Sequence, residues 1–370
     1  MKGSIKKEGN SWYYIVTLGK KENGKQHQKK KRGFKTKREA SKAMNEVLSQ
    51  YNKGLYVEPS SILYKDFLDQ WLDDKKRQVQ ETTYDSYVIL VDAHIAPRLG
   101  NIKLSHLKPI HIQNFYNHLS SEKGLAGASI QKIHTLIKDS LKKAVRWELL
   151  FKNPMDAIDR PKIIKPDVEV WTTEEANTFM AKAENDPLFM AFYLAYTTGM
   201  RQGEILGLRW KDIDFDKKLL MIRQTLVPGA KKLKSGAKSR AGTRTISLPD
   251  KAVIKLQKYK KRMDIEKQLA ADIFQDNDLV VCTGLGTPIN SSNLRRTFHR
   301  LIEEAQVKPI RFHDLRHTHA TVLLLQNVNP KIVSERLGHA DVRLTLDTYS
   351  HLLPNMQLEA ASKLNEVLTN

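Results

Sequence analysis

Residues 311–320 read RFHDLRHTHA. With TTGMRQGEILGLRW at 197–210, RLGHA at 336–340 and LDTYSH at 346–351, they decide how the C-terminal half of the chain is read. His313, Arg316 and His317 stand at i, i+3 and i+4, which puts them on one side of a helix. Arg201 and Arg316 supply two planar forks of donors that match the non-bridging oxygens of a phosphodiester. His313 and His339 bring imidazoles that donate hydrogen bonds or move a proton near neutral pH. Tyr349 brings a hydroxyl able to attack phosphorus and hold the cut strand as an ester. The set implies chemistry on a single phosphate and points to reversible DNA strand cleavage.

Each residue also has a plain structural reading. Arg201 and Glu204, three apart, could form an ordinary surface pair. The apolar neighbourhood of EILGLRW instead favours a carboxylate set behind a partly buried arginine, orienting it and offsetting its charge until phosphate arrives. His313 and His317 have the spacing of a metal-binding pair, with His319 nearby, yet no cysteine or acidic cluster supplies further ligands. Leu337-Gly338 reads as a helix C-terminus, and Tyr349 alone as an amphipathic tyrosine. The order of the residues, rather than any one of them, carries the chemistry.

Charge agrees with a polyanionic partner. The 370 residues hold 62 Lys and Arg against 41 Asp and Glu, a formal net charge of +21, with a pI near 9.7, and nucleic acid is the leading candidate. About half of the excess lies in residues 1–55, which carry 15 Lys and Arg and 4 Asp and Glu, so that segment is expected to grip phosphates by itself. Cys282 is the only cysteine, which rules out an intrachain disulfide framework and fits a reducing cytoplasm. The longest apolar run, LFMAFYLAY at 188–196, is too short to span a bilayer and reads as a buried helix.

The length predicts two or three domains. SWYYIVTL at 11–18 and the stretch 26–34 read as strands flanking the turn-rich KKENGK, followed by a helix capped by Thr36 with Ala40, Met44, Val47 and Leu48 on one face. LYVEPSSI at 55–62 reads as a linker. Helical faces follow at Leu63, Phe67, Trp71 and Leu72, at Tyr84, Tyr87 and Leu90, and from Ile130 to Val145. Asn153-Pro154 stops the last of these helices, and DRPKIIKPD at 159–167 reads as a second linker. Beyond it a helix begins at Thr173. LLMIRQTLV at 219–227 and TRTISLP at 243–249 are expected to pair across the basic PGAKKLKSGAKSRAG.

The order Arg201, then HDLRHTHAT, then ERLGHADVRLTLDTYSHL resembles the three boxes of the tyrosine recombinases, the phage-integrase family. The resemblance covers most of the chain. It implies a multidomain, mainly α architecture with small β-sheets: a three-stranded sheet plus helix binding arm-type DNA (1–55), a helical, SAM-like core-binding domain (60–160) and a mixed α+β catalytic domain (168–370). A basic N-terminal module of this kind resembles integrases of temperate phages and integrative conjugative elements more than recombinases that only resolve chromosome dimers.

For the site, the resemblance implies Tyr349 as nucleophile forming a 3′-phosphotyrosyl link. Arg201, Arg316 and His339 would act on the phosphate, His313 would accept or relay the nucleophile's proton, and Glu204 would support Arg201. A lysine on the β-hairpin would protonate the leaving 5′-oxygen; AKSRAGTRTISLP points to Lys238, with Lys234 as runner-up and Lys231 and Lys232 also in the loop. The bond energy is conserved in the ester, so neither nucleotide cofactor nor metal is required. The implied partners are double-stranded core and arm attachment sites, three further copies in a tetramer, a directionality factor (excisionase) and a host DNA-bending protein, in the bacterial cytoplasm at the nucleoid and not at a membrane. QLEAASKLNEVL at 357–368, with Leu358, Ala361, Leu364 and Leu368 on one side, is expected to dock on a neighbouring protomer or on its own domain. Three rivals share part of this chemistry: a type IB topoisomerase-like relaxing enzyme, a DNA-binding regulator with a decayed site, and a metal nuclease built on His313, His317 and His319.

Overall fold

Alternation in the first fifty residues becomes a sheet because every second side chain finds a helix to pack on. In the computed structural model, which describes residues 3–20, 26–52, 61–163, 168–227, 233–235, 243–349 and the tail positions 361, 362, 364 and 368, the chain divides into two compact units, Met1–Lys165 and Pro166–Asn370.

In the first unit, β1 (Gly3–Glu8), β2 (Ser11–Lys20) and β3 (Gln26–Phe34) form an antiparallel meander in the order β1-β2-β3. Tyr14 and Val16 point inward against Met44, Val47 and Leu48 of α1 (Lys37–Asn52). Thr36 starts that helix as expected: its Oγ1 accepts from the Glu39 amide at 3.1 Å, while the Glu39 carboxylate accepts from the Lys35 amide at 3.0 Å, satisfying two otherwise orphaned donors. Lys30 lies over the Tyr13 ring at 4.0 Å. Most of the expected turn KKENGK falls outside the described residues.

The helices α2 (Tyr64–Lys76), α3 (Glu81–Leu90), α4 (Ala96–Leu99), α5 (Pro109–Ser121) and α6 (Gly127–Arg146) share one core, with a π-helical turn at Val91–Ile95 joining α3 to α4. Phe67, Trp71, Leu72, Ile133, Ile137 and Leu141 lie in it as their spacing predicts, and Tyr84, Tyr87 and Leu90 flank it. Leu63 sits one residue ahead of its helix, in a bridge to Lys103. Inside this core the Tyr64 hydroxyl meets Ser140 Oγ at 2.8 Å, which satisfies two polar groups that burial would otherwise strand.

The second unit runs α7 (Thr173–Ala183), α8 (Phe189–Thr198), α9 (Gln202–Leu206), β4 (Ile213–Asp214), β5 (Leu219–Met221), β6 (Gln224–Leu226), β7 (Leu233–Ser235), β8 (Thr245–Ser247), α10 (Asp250–Ala270), α11 (Ser291–Ala305), α12 (Asp314–Leu325), α13 (Pro330–Leu337) and α14 (Val342–Tyr349). Its centre is aromatic. Phe298 of α11 meets Trp171, Phe179, Phe192 and Phe312 with ring centroids 5.2–5.7 Å apart, contacts that add roughly 0.5–1.5 kcal/mol per pair beyond area burial. This core fixes α8, whose end leads into Arg201 at the N-cap of α9, and α12, which carries Arg316.

The hairpin differs from its expected form. Only Leu219–Met221 pairs with Thr245–Ser247, while Gln224–Leu226 turns away and pairs with Leu233–Ser235 from the basic stretch. Packing explains the divergence. Leu226 is buried, and Leu233 packs against the same core, so a leucine set among lysines competes successfully for the strand. Gln224 also donates to the Gly207 carbonyl at 3.1 Å, which ties β6 to the end of α9. Among the described residues no helix is long and apolar enough to cross a membrane.

Candidate active site

Gly199 ends α8 in the left-handed conformation, at φ 67°. A Cβ there would lie 2.7 Å from both the His319 and Leu337 side chains, so glycine is required on conformational and steric grounds. The turn aims the Gly199 carbonyl at Arg316 of α12, whose Nη1 donates to it at 2.7 Å. The other terminal nitrogen of Arg316, Nη2, is buried with no hydrogen-bond partner among the described residues, in a residue that is 3% exposed. A stranded guanidinium nitrogen costs free energy unless an anion arrives to meet it. Burial, reinforced by Arg201 and Arg244, pushes the Arg316 guanidinium down to about 9, which still leaves it charged at neutral pH.

Arg201 caps α9. Its Nη1 donates to Glu204 Oε1 at 2.9 Å, its backbone N–H to Oε2 at 2.8 Å, and its Nη2 to the Gly338 carbonyl at 3.1 Å. The sequence-predicted support of Arg201 by Glu204 is therefore present in this geometry. A second arginine, absent from the expected set, grips the same carboxylate: Arg244 donates to Oε1 at 3.0 Å and Oε2 at 2.9 Å, and its Nε donates to the Arg336 carbonyl at 2.7 Å. Burial pushes the Glu204 carboxyl up, but the Arg244 fork and Arg201 outweigh it, so the group sits below its ordinary value and stays ionised.

His313 occupies the N-cap of α12, in a turn held by Arg311, which donates to buried Asp314 through Nε at 2.9 Å and Nη2 at 2.8 Å. Its ring stands edge-to-face on His317, centroids 5.3 Å apart. His339 follows Gly338, which ends α13 at φ 68°, and its Nδ1 lies 2.8 Å from Thr345 Oγ1 of α14. Tyr349, the last described residue of α14, is 2% exposed and packs with Ala320, Leu324, Val333 and Leu337. Its hydroxyl lies 2.5 Å from His317 Nδ1. Burial pushes the Tyr349 phenol well above its ordinary value, against a smaller lowering by Arg316, so the hydroxyl rests neutral.

Two further residues tie these segments together. Arg336 donates through Nε to His319 Nε2, through Nη1 to the Ser247 carbonyl and through Nη2 to the Thr197 carbonyl, each at 3.0 Å. His319 Nδ1 is 2.8 Å from the Tyr196 carbonyl. A carbonyl only accepts, so the ring carries its proton on Nδ1 and receives Arg336 on Nε2. His317 and His319 therefore face different partners. Among the described residues no group of three or more His, Cys, Asp and Glu could hold a metal ion. Lys238, the expected hairpin lysine, lies outside the described residues, whereas Lys234 is exposed on β7, in register with Thr225.

Arg201 and Tyr349 lie within electrostatic reach of buried Arg316, and Arg316 and Arg201 within reach of His339. Residues 169–356 match the phage integrase family, residues 63–120 match its N-terminal SAM-like domain, and residues 4–51 match an arm DNA-binding domain. The chain belongs to the phage integrase family. As a member it is a tyrosine-type site-specific recombinase, and its architecture is the mainly helical, multidomain one that the resemblance implied. The recombinase is 32% identical to a tyrosine recombinase XerC-like protein of Caldanaerobacter subterraneus subsp. tengcongensis over 98% of this chain and 97% of the relative. It is 28% identical to the ICEBs1 integrase of Bacillus subtilis over 90% and 91%. Its fold is similar to that of a Tn1549 transposon integrase solved with circular intermediate DNA, with a TM-score of 0.71 and 20% identity, over 82% of this chain and all of that one.

One buried histidine, His319, and two half-buried ones, His317 and His339, predict an acid limit for the recombinase. Burial is the largest cause holding His317 and His339 down to about 4 and His319 down to about 3. Unfolded histidines take up protons near pH 6.5 and these folded ones do not, so their contribution to stability is complete above that pH and falls as pH drops toward 4. Thermal unfolding followed from pH 7 to 5 is expected to show a falling midpoint, with a shallower slope in His319→Gln. An unchanged slope in that variant would contradict the assignment.

Proposed function

We propose that this recombinase integrates and excises a mobile element by cutting and rejoining DNA at core attachment sites, with Tyr349 as nucleophile. The supporting observation is that Arg201 and Tyr349 lie within electrostatic reach of Arg316, and Arg316 and Arg201 within reach of His339, while one buried Arg316 nitrogen has no hydrogen-bond partner among the described residues. Tyr349 attacks the scissile phosphate, leaving a 3′-phosphotyrosyl ester and a free 5′-hydroxyl. Arg201 and Arg316 stabilise charge on the equatorial oxygens of the phosphorane, a contribution of about 2 to 4 kcal/mol each by comparison with other oxyanion donors. His339 donates to a non-bridging oxygen, and His313 accepts or relays the nucleophile's proton. Lys238, or its neighbour Lys234, protonates the leaving 5′-oxygen.

Double-stranded DNA is the substrate. Four copies assemble around the exchanging duplexes, with residues 1–55 on arm sites and an excisionase and a host bending protein setting direction, in the cytoplasm at the nucleoid. The C-terminal segment joins neighbouring copies. Of its expected apolar face, Leu358 lies outside the described residues, and Leu364 and Leu368 are 58% and 73% exposed.

The test is joining of two DNAs: a supercoiled plasmid carrying one attachment site and a linear duplex carrying the other, with recombinant product scored. Product from the wild type is expected. Relaxation without joining would establish the topoisomerase-like alternative, and specific binding with neither would establish a decayed regulator.

A further inference from the structure

Arg201 keeps its side chain 41% exposed while two anchors hold it, the Glu204 carboxylate and the Gly338 carbonyl. Arg244 braces both anchors. It takes Glu204 by both oxygens, at 3.0 and 2.9 Å, and its Nε donates to the Arg336 carbonyl at 2.7 Å, two residues before Gly338. Its own backbone is pinned in turn: the Arg244 carbonyl accepts from the Ile222 amide at 2.9 Å, and the next residue, Thr245, opens β8 against β5. The side chains of Arg244 and Glu204 are each 7% exposed. Arg244 is therefore placed to act on a substrate through Arg201 rather than by touching it.

Charge gives this brace a second task. A carboxylate paired with Arg201 alone would cancel the positive charge that a phosphate needs, and a bidentate pair would turn the Arg201 fork away from solvent. Arg244 supplies the second guanidinium. One negative charge then lies between two positive ones, and a net positive charge is left on the exposed side. Burial opposes ionisation of Glu204, and Arg244 does more than Arg201 to maintain it.

We infer that Arg244 is a positioning residue for the strand-cleavage reaction, one that aims Arg201 and keeps its charge available, an assignment that rests on Arg201 meeting the scissile phosphate. Groups that orient a residue touching substrate govern rate without contacting substrate themselves. The bidentate grip and the bond to the Arg336 carbonyl require the planar fork, since an ammonium offers one point of charge in its place.

The experiment compares the full-length wild type with Arg244→Met, Arg244→Lys and Arg201→Met on two nicked suicide duplexes bearing the attachment core. One has the natural scissile phosphodiester. The other has a methylphosphonate there, which carries no negative charge for an arginine to balance. Thermal unfolding and the single-turnover rate of adduct formation are read well below the unfolding midpoint, and each loss is taken against the wild type on the same substrate. Arg201→Met is expected to lose far more on the phosphodiester than on the methylphosphonate. Arg244→Met is expected to follow that pattern, losing about 10- to 100-fold on the phosphodiester and little on the methylphosphonate, with Arg244→Lys between it and the wild type. Wild-type rates in Arg244→Met overturn the inference. Equal losses on the two substrates also overturn it and assign Arg244 to the fold alone. Should Arg244→Met not fold, the same comparison of substrates is made in Arg244→Lys. Arg201→Met that cleaves the phosphodiester like the wild type removes the reading of Arg201, and the inference with it.

Discussion

Arg316→Met cleaves attachment DNA about 10²–10³-fold more slowly than the wild type, the loss expected when one preorganised donor to a developing oxyanion is removed, and it unfolds at the same temperature or higher. The two halves of this expectation come from one observation. Among the described residues Arg316 donates one bond, to the Gly199 carbonyl, and buries a second terminal nitrogen unpartnered, so the guanidinium contributes little to the resting fold. A positive charge held in that condition is destabilising until a phosphate reaches it. Methionine fills similar space without the charge. The measurement is a paired one, single-turnover cleavage and thermal unfolding on the same protein. An unfolded variant would show that Arg316 is mainly structural.

Glu204→Gln has the opposite balance and loses both stability and activity. Its carboxylate is the shared acceptor for the Arg201 side chain, the Arg201 amide and both terminal nitrogens of Arg244. An amide keeps the shape but supplies one acceptor oxygen and no charge, leaving two guanidiniums without a counter-ion. Breaking a buried pair in this way costs about 3–5 kcal/mol, which for a unit of this size lowers the unfolding midpoint by on the order of 10 °C. The depressed carboxyl also gives a pH signature. Its contribution is present above the unfolded value near 4.5 and is lost as pH falls through the lower folded value. Glu204→Gln should therefore flatten the acid limb below pH 4.5. A midpoint within a degree of wild type would contradict the role given to Glu204.

How much of this was legible in the sequence depended on whether a residue's task was local. Thr36, Gly199 and Gly338 announce helix ends because a cap involves neighbours a few residues away. His313 and Arg316 announce a shared helix face for the same reason. The Arg201–Glu204 pair is local too, and the carboxylate was found with its arginine. Arg244 and Arg336 gave no such signal. Their acceptors lie 40 residues away at Glu204, 92 at the Arg336 carbonyl and 139 at the Thr197 carbonyl, and one arginine among 62 cationic residues does not show which carbonyl it will face. His317 was visible only as a member of a metal-like pair, since its bond to Tyr349 depends on where α14 packs. The strands Gln224–Leu226 and Leu233–Ser235 are three residues each, too short for alternation to distinguish from a basic loop.

The proposed role of Tyr349, holding the cut DNA strand as an ester, is decided by adduct formation. Wild type and Tyr349→Phe are incubated in EDTA with a nicked suicide duplex bearing the attachment core, and denaturing gels are followed by mass spectrometry of the linked peptide. A metal-independent adduct is expected in the wild type, mapped to Tyr349 through a 3′-phosphate and absent from Tyr349→Phe. An adduct at another residue, or cleavage without any covalent link, would contradict it.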